Sequence, residues 1–420
     1  MIKYLQEAKG GNFMQKNLEK YAKLLVRNGL NIQKDQLLVV NAPIEAAEFV
    51  RIVAKQAYDE GAKNVHVEYR DEELALVKYL NAPFEAFKEA MQWKADGFEQ
   101  MASENAAFLS ITGTDPDLFK DVDPERIAEA NKTNSKSMEK FRKYTLNSKV
   151  SWCVAAVPSP SWAKKIFPDE TTENAIEKLW DKIFIANRVY DEDPVVSWDN
   201  HIKNLTEKVD FLNNNQFKSL HYKSAKTDLV VELPENHVWA GGGEYNESNV
   251  YFVANMPTEE VFTMPLKTGV NGYLTSTFPL NYSGSLIDNF KLTFKEGRII
   301  EVEAETGLET LKKLIDTDEG SHYLGEVALV PYDSPINNTG IVFYNTLFDE
   351  NASCHFALGA AYPTNIAGGD KMTDEELEQK GANTSLTHVD FMIGSKDMNI
   401  VATKHDGTKV QIFKDGDWAF

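Results

Sequence analysis

The sequence predicts an α/β protein of two domains: an N-terminal α/β domain on a mainly parallel sheet, residues 1–195, and a C-terminal mixed α+β domain, residues 196–420. Three observations carry that prediction. A chain of 420 residues exceeds one compact core and suits two or three. Short β-rich runs alternate with helical patterns in the first part, the signature of βαβ units. Beyond about Trp198 the texture changes to closely spaced β-rich runs broken by Gly and Asn.

The first domain builds up in order. Leu18, Tyr21, Ala22 and Leu25 recur at helical spacing, and Gly29 follows where that helix would stop. Residues 36–40 are nearly continuously apolar, as expected of a strand covered on both faces. Ala47, Val50, Ala54 and Ala57 line one side of a helix over 44–58, and Glu60-Gly61-Ala62 closes it before a strand at 65–69. Residues 84–101 read as an amphipathic helix and 108–112 as a strand. Asp123-Pro124-Glu125 opens a further helix, with Asp at the N-cap and Pro in the first turn, where its missing N–H costs nothing. A strand at 152–157 and a helix at 174–187 complete the domain. No GxGxxG or GxxxxGK[ST] follows these strands, so no phosphate cradle is expected.

The second domain begins with a helix over 198–212, followed by β-rich runs at 228–233, 250–254, 292–295 and 299–302. Gly241-Gly242-Gly243 reads as a turn, and Lys295-Glu296-Gly297-Arg298 as a hairpin tip. A helix at 310–315 and a strand at 327–330 follow. Thr373-Asp374-Glu375-Glu376 is a capping box that starts a solvated helix.

Charge narrows the partners. Forty-four Lys and Arg against 64 Asp and Glu leave a net −20, a field that repels nucleic-acid backbones and anionic membranes. Mean hydropathy is −0.40, and no apolar run reaches the roughly 18 residues of a membrane span. Residues 1–7 carry charge where a signal peptide needs an apolar stretch, so a cytoplasmic setting is expected. Cys153 and Cys354 belong to no CxxC and read as small buried side chains.

The informative chemistry lies between residues 255 and 394, where acids and imidazoles stand inside apolar, Gly-rich or β-branched runs. In Met256-Pro257-Thr258-Glu259-Glu260-Val261-Phe262-Thr263 the residues after Glu260 favour an extended chain, so Glu260 either points inward or belongs to a surface acid pair. In Gly325-Glu326-Val327-Ala328-Leu329-Val330-Pro331, strand alternation gives Glu326 the face of Ala328 and Val330. A carboxylate there needs a metal, a cation or a proton, unless the strand end is solvated. Glu350, His355 and Tyr362 occur in one stretch of small and apolar residues; each alone reads as a loop acid, a core histidine and core packing. His388 and Asp390 are two apart on a strand, and so present an imidazole and a carboxylate side by side. Together these oxygen and nitrogen donors suffice for two divalent ions with one shared carboxylate. Without sulfur the set suits Zn, Co, Mn or Mg.

Four motifs in order, PTEEVFT at 257–263, GEVALVP at 325–331, LFDENASCHFALG at 347–359 with Tyr362 beyond it, and HVDFMIG at 388–394, resemble the thermophilic-type metallo-aminopeptidase family of aminopeptidase T, PepS and AmpS. The resemblance spans essentially the whole chain. It implies a homodimeric cytosolic exopeptidase whose C-terminal domain holds the two-metal site. The ligands it implies are Glu260, Glu326, His355, Tyr362, His388 and Asp390, with Glu326 or Asp390 as the bridge. Glu350 matches the motif as either a ligand or a proton-transfer residue.

That family chemistry implies removal of the N-terminal residue from peptides with a free N-terminus by a water that the two metals activate, Glu326 or Glu350 taking its proton. Two other classes use related residues. A two-metal phosphoesterase would add basic groups for the phosphate, and the four motifs contain no Arg or Lys. A non-catalytic small-ligand-binding metalloprotein would be expected to hold its ion in a closed, Cys- and His-rich site.

Overall fold

The computed structural model describes residues 11–282 and 285–420; the charged segment at residues 1–7 lies outside them. The chain forms two compact units, Met1–Asn200 with Gly243–Pro257, and His201–Gly242 with Thr258–Phe420.

The first unit is organised on four parallel strands, β1 (Leu37–Pro43), β2 (Asn64–Arg70), β3 (Ala107–Thr112) and β4 (Trp152–Ala156), in the spatial order β2-β1-β3-β4. The order reverses between β1 and β3, because the chain steps outward to β2 and then returns past β1. Helices Gly11–Leu24, Ala47–Asp59 and Thr172–Ala186 bring together Tyr21, Phe49, Trp180 and Phe184, with Tyr21 stacked on Phe49 at 5.4 Å and Trp180 on Phe184 at 5.2 Å. The Asp123 carboxylate caps Pro124–Ser137 by accepting from Glu125 N–H at 2.9 Å, as its sequence predicts.

Residues 84–101 are not one helix. They form a 3₁₀ turn, Phe84–Phe87, and a separate helix, Gln92–Ser103. Phe87 is buried and stacks on Tyr79 at 5.4 Å, an anchor that holds the turn. Residues 243–257 also depart from the sequence division, since they pack with the first unit. Val154 N–H donates to Ala254 O at 2.7 Å and Met256 N–H to Val154 O at 2.9 Å, pairing that satisfies the open edge of β4.

The second unit has two antiparallel sheets among its described residues. The larger, of nine strands, includes Ser219–Lys223, Asp228–Glu232, Val270–Thr275, the hairpin Ser285–Lys295 with Arg298–Thr306, and Asn399–Thr403. Gly297, at φ +81°, turns that hairpin where the sequence places its tip. The smaller sheet runs, in spatial order, His388–Met392, His355–Gly359, Leu324–Leu329, Val261–Thr263 and Ala240–Gly241. Gly241 is therefore a strand residue rather than part of a turn. It pairs with Val261, and a Cβ there would stand 2.6 Å from Glu260 O, so the close approach admits only glycine.

Aromatic rings join the two sheets. Tyr222 meets Phe356 at 5.1 Å and Phe290 meets Phe391 at 5.3 Å, within a core that also holds Leu274 and Val327. Val327, Phe356 and Phe391 are paired in register on the smaller sheet, so alternation sends Glu326, Ala357 and Asp390 to its other face. That face is also covered: Leu324–Leu329 is buried at every position. Thr373 and Glu376 complete the expected capping box, with backbone contacts of 2.8 and 3.3 Å. Among the described residues no helix is long and apolar enough to cross a membrane.

Candidate metal centre

The smaller sheet assembles the site through its register. Glu326 lies opposite Ala357 and Ala357 opposite Asp390, while His388 lies opposite Gly359. His355, Ala357 and Gly359 alternate onto one face of their strand, which lies between those of Glu326 and of His388 and Asp390. At the second and third of these positions a methyl group and a hydrogen leave space, and side chains from the flanking strands turn into it.

Two donor sets result. Glu260, Glu326 and His355 form one; Glu326, His388 and Asp390 form the other, and within each set the ligand atoms lie within 4.8 Å of one another. Glu326 belongs to both. Its Oε1 is 3.4 Å from His355 Nε2 and its Oε2 is 3.5 Å from His388 Nε2. Glu260 Oε2 stands 3.2 Å from His355 Nε2, and Asp390 Oδ1 3.5 Å from His388 Nε2.

The far side of each imidazole is held by the backbone. His388 Nδ1 donates to Ala360 O at 2.7 Å and His355 Nδ1 to Ser353 O at 3.2 Å. A carbonyl can only accept, so in the neutral ring Nε2 keeps its lone pair, aimed at carboxylates. This is the orientation of metal-ligating histidines. Buried Asp390 Oδ1 has no hydrogen-bond partner. Acceptors facing acceptors in a buried site require cations between them. An oxygen and nitrogen donor set with no sulfur fits divalent ions of the Zn, Co, Mn or Mg kind. Cys354 contributes nothing here; its thiol donates to Val330 O at 3.3 Å, and burial pushes its pKa up to about 12.

Protons mark the same demand in the metal-free protein. Burial, with Asp390 and Glu260 adding to it, pushes Glu326 up to about 7 against the pull of His355 and His388. Burial alone would depress His388, but Asp390 and Glu326 outweigh it and raise the ring to about 9.

Tyr362 and Glu350 border the cluster. The Tyr362 ring is 4.8 Å from the His388 ring and 6.0 Å from that of Phe262, and the residue is 40% exposed. Its hydroxyl is driven upward by burial and by the carboxylates of Glu326 and Asp390. Glu350 belongs to neither donor set. It opens a 3₁₀ turn, Glu350–Ala352, and accepts from Asn351 Nδ2 at 3.4 Å. Burial and then the charges of Glu260 and Asp390 raise its pKa well above the ordinary value.

Several residues that sequence reasoning passed over support the site. Glu259 is buried, and its Oε2 lies 3.4 Å from His201 Nε2. The Glu259-Glu260 pair is therefore no surface feature: each acid faces a different histidine. Asn351 accepts from Glu259 N–H at 2.8 Å, tying the Glu259-Glu260 segment to the Glu350 turn. Asp349 takes the N–H groups of Phe343 at 2.8 Å and Asn345 at 3.1 Å, and so fixes the loop leading to Glu350. Asn383 Nδ2 donates to Gly320 O and Gly359 O at 2.8 and 2.6 Å. Isolated Asn and Asp residues carry no sequence signal for such long-range contacts; only the first acid of the Glu-Glu pair offered a hint.

A family model described as thermophilic metalloprotease (M29) matches residues 14–418. The chain belongs to that family. Within this metalloprotease family it is similar to "Aminopeptidase AmpS" of Bacillus subtilis (strain 168), 54% identical over 409 residues that cover 97% of this chain and 100% of the relative. It is also similar to "Aminopeptidase T" of Thermus thermophilus, 41% identical over 404 residues, 96% of this chain and 98% of the relative. The solved structure titled "Wild-type AmpT from Thermus thermophilus" aligns with a TM-score of 0.92 at 41% identity, over 97% of this chain and 100% of that one. The chain is a metal-dependent aminopeptidase, which sets aside the phosphoesterase and non-catalytic readings.

Proposed function

We propose that this aminopeptidase works with two divalent ions, which Glu260, Glu326 and His355, and Glu326, His388 and Asp390, would hold, Glu326 being common to both donor sets. Tyr362 completes the ligand set. The observation that carries the proposal is Glu326 itself, whose two oxygens are turned to two different imidazoles at 3.4 and 3.5 Å. When bound, such a pair of ions supplies Lewis acidity to the scissile carbonyl and lowers the pKa of a water.

The chain's own residues perform the rest. With Glu326 common to both donor sets, Glu350, which belongs to neither, is left to accept a proton from the attacking water and deliver it to the departing amine. Burial holds its pKa above the ordinary carboxylate value, which favours a carboxyl group that takes up a proton. The substrate is a peptide with a free, cationic N-terminus. The same proposal includes a homodimer and a cytoplasmic setting.

The test compares free and N-acetylated aminoacyl-p-nitroanilides on chelator-stripped protein, with Co, Zn, Mn or Mg added back, beside Glu326→Gln. Metal-restored cleavage of the free-amine substrates alone, with bound metal per chain falling from two ions in the wild type and activity lost in the variant, is the expected result. Full activity and two ions in Glu326→Gln would overturn the role of Glu326 as the shared ligand. Light scattering on the eluting protein decides the dimer.

A further inference from the structure

The first unit contains a cavity of about 750 Å³ between the parallel sheet and the helices Gln92–Ser103, Pro124–Ser137 and Glu139–Leu146. None of its lining residues belongs to the metal centre. Its floor follows the strand register. Val39, Phe108 and Trp152 stand side by side on β1, β3 and β4, and Phe141 closes over them, 4.9 Å from Phe108 and 5.4 Å from Phe98. Two residues further along the strands, on the same face, the row becomes polar: Glu68, Asn41 and Ser110 on β2, β1 and β3. Arg70 comes next on β2 and also lines the cavity.

An apolar chamber thus opens onto polar groups towards the carboxyl ends of the strands. Asn41 and Ser110 flank the place where strand order reverses, which is where open parallel sheets bind ligands. Three polar atoms of the lining residues are buried without a hydrogen-bond partner: Asn41 Oδ1, Arg70 Nε and Trp152 Nε1. One acceptor and two donors left so in a single cavity are costly unless a ligand or water meets them, and a ligand carrying matching groups would pair all three. Arg70 Nη2 is already committed to Ile111 O at 2.8 Å, and Lys94 Nζ reaches Glu68 Oε1 at 2.6 Å. Burial depresses the Arg70 pKa, an effect that nearby Glu72 partly offsets.

Charge selects the ligand class. Glu68 and Glu89 face Arg70, Lys78 and Lys94 around the cavity, a near balance that favours a zwitterion. No glycine-rich strand end is present to cradle a phosphate, so a nucleotide is disfavoured. We propose that this cavity binds a free α-amino acid with an aromatic or large aliphatic side chain. Its carboxylate meets Arg70, its ammonium meets Asn41 Oδ1 and the Glu68 carboxylate, and its side chain lies among Phe98, Phe108, Phe141 and Trp152. Such amino acids are what an aminopeptidase releases, and that link alone rests on the assigned activity.

The experiment reads the cavity directly, without hydrolysis. Full-length, metal-loaded protein is labelled with 5-fluorotryptophan, and the Trp152 fluorine resonance is assigned from Trp152→Phe. L-phenylalanine and L-leucine are expected to shift that resonance saturably. N-acetylphenylalanine and phenethylamine, each lacking one charge of the zwitterion, should bind roughly tenfold or more weakly. Arg70→Met and Asn41→Leu should lose the shift while keeping wild-type peptide hydrolysis, which shows that they fold. Should Arg70→Met fail to fold, Asn41→Leu decides, since the Asn41 side-chain oxygen has no hydrogen-bond partner to lose. A Trp152 resonance unmoved by millimolar L-phenylalanine, moved equally by phenethylamine, moved by AMP instead, or still moved in Asn41→Leu would overturn the proposal.

Discussion

Glu326 and Asp390 face the same residue from opposite sides: Ala357 is the register partner of both. Ala357 puts only a methyl group between them, so two carboxylates on separate strands share one buried space with His355 and His388. The size of the residue at that position therefore sets the space between the two carboxylates.

Replacing Ala357 with Leu places an isobutyl group where the two carboxylates converge. Overpacking of this kind costs about 1–3 kcal/mol, which leaves the fold in place. Metal content by elemental analysis and hydrolysis of aminoacyl-p-nitroanilides should both fall to near background. Wild-type metal content in the variant would show that the space over Ala357 is not where the ions sit.

Metal uptake should release protons. Below pH 7 the metal-free site holds a proton on His388, whose pKa is raised to about 9, and increasingly one on Glu326, whose pKa is raised to about 7. A cation must displace these, so apparent affinity rises with pH from 6 to 9, with roughly one or more protons released per chain at neutral pH. Calorimetric titration in buffers of different ionisation enthalpy measures that number. A pH-independent affinity would contradict the protonation pattern.

Gly359 is held at φ +107°, and a Cβ there would lie 2.2 Å from Thr387 O. Gly359→Ala should therefore lose about 1–3 kcal/mol from backbone strain. Because Gly359 is the register partner of His388, metal affinity should fall with it. Thermal melts of the stripped and metal-loaded variant separate the two effects: a loss of stability with unchanged metal affinity would disconnect the glycine from the site.

Tyr362→Phe keeps the ring that packs 4.8 Å from His388 and removes only the hydroxyl. Stability should change by no more than about 0.5 kcal/mol. Metal affinity or activity should fall by about 10- to 100-fold if the hydroxyl serves the ions. Unchanged kinetics and metal content would reduce Tyr362 to a packing residue.

Local periodicity made most of the first unit legible, because amphipathic helices and continuously apolar strands write their packing into neighbouring residues. Asp123 and Thr373 mark helix starts for the same local reason. Residues 84–101 were misleading, since helical spacing there hides a break beside which Phe87 stacks on Tyr79, a contact with a residue outside the segment. Strands as short as Ala240–Gly241 have no period to detect, and Gly241 looks like a turn until Glu260 is seen packed against it.

The sequence by itself determined which residue types could bind metal and that His388 and Asp390 share a strand face, because spacing along one strand sets direction. It also carried, through four ordered motifs, the family to which the chain belongs. Only the tertiary structure decided that Glu260 faces His355 while Glu259 faces His201, that residues 243–257 pair with β4, and that Glu326 spans two imidazoles. The last of these depends on register between strands far apart in the chain, the others on contacts between distant segments. A single-residue slip would carry the Glu326 side chain to the opposite face, and nothing local in the sequence encodes that alignment.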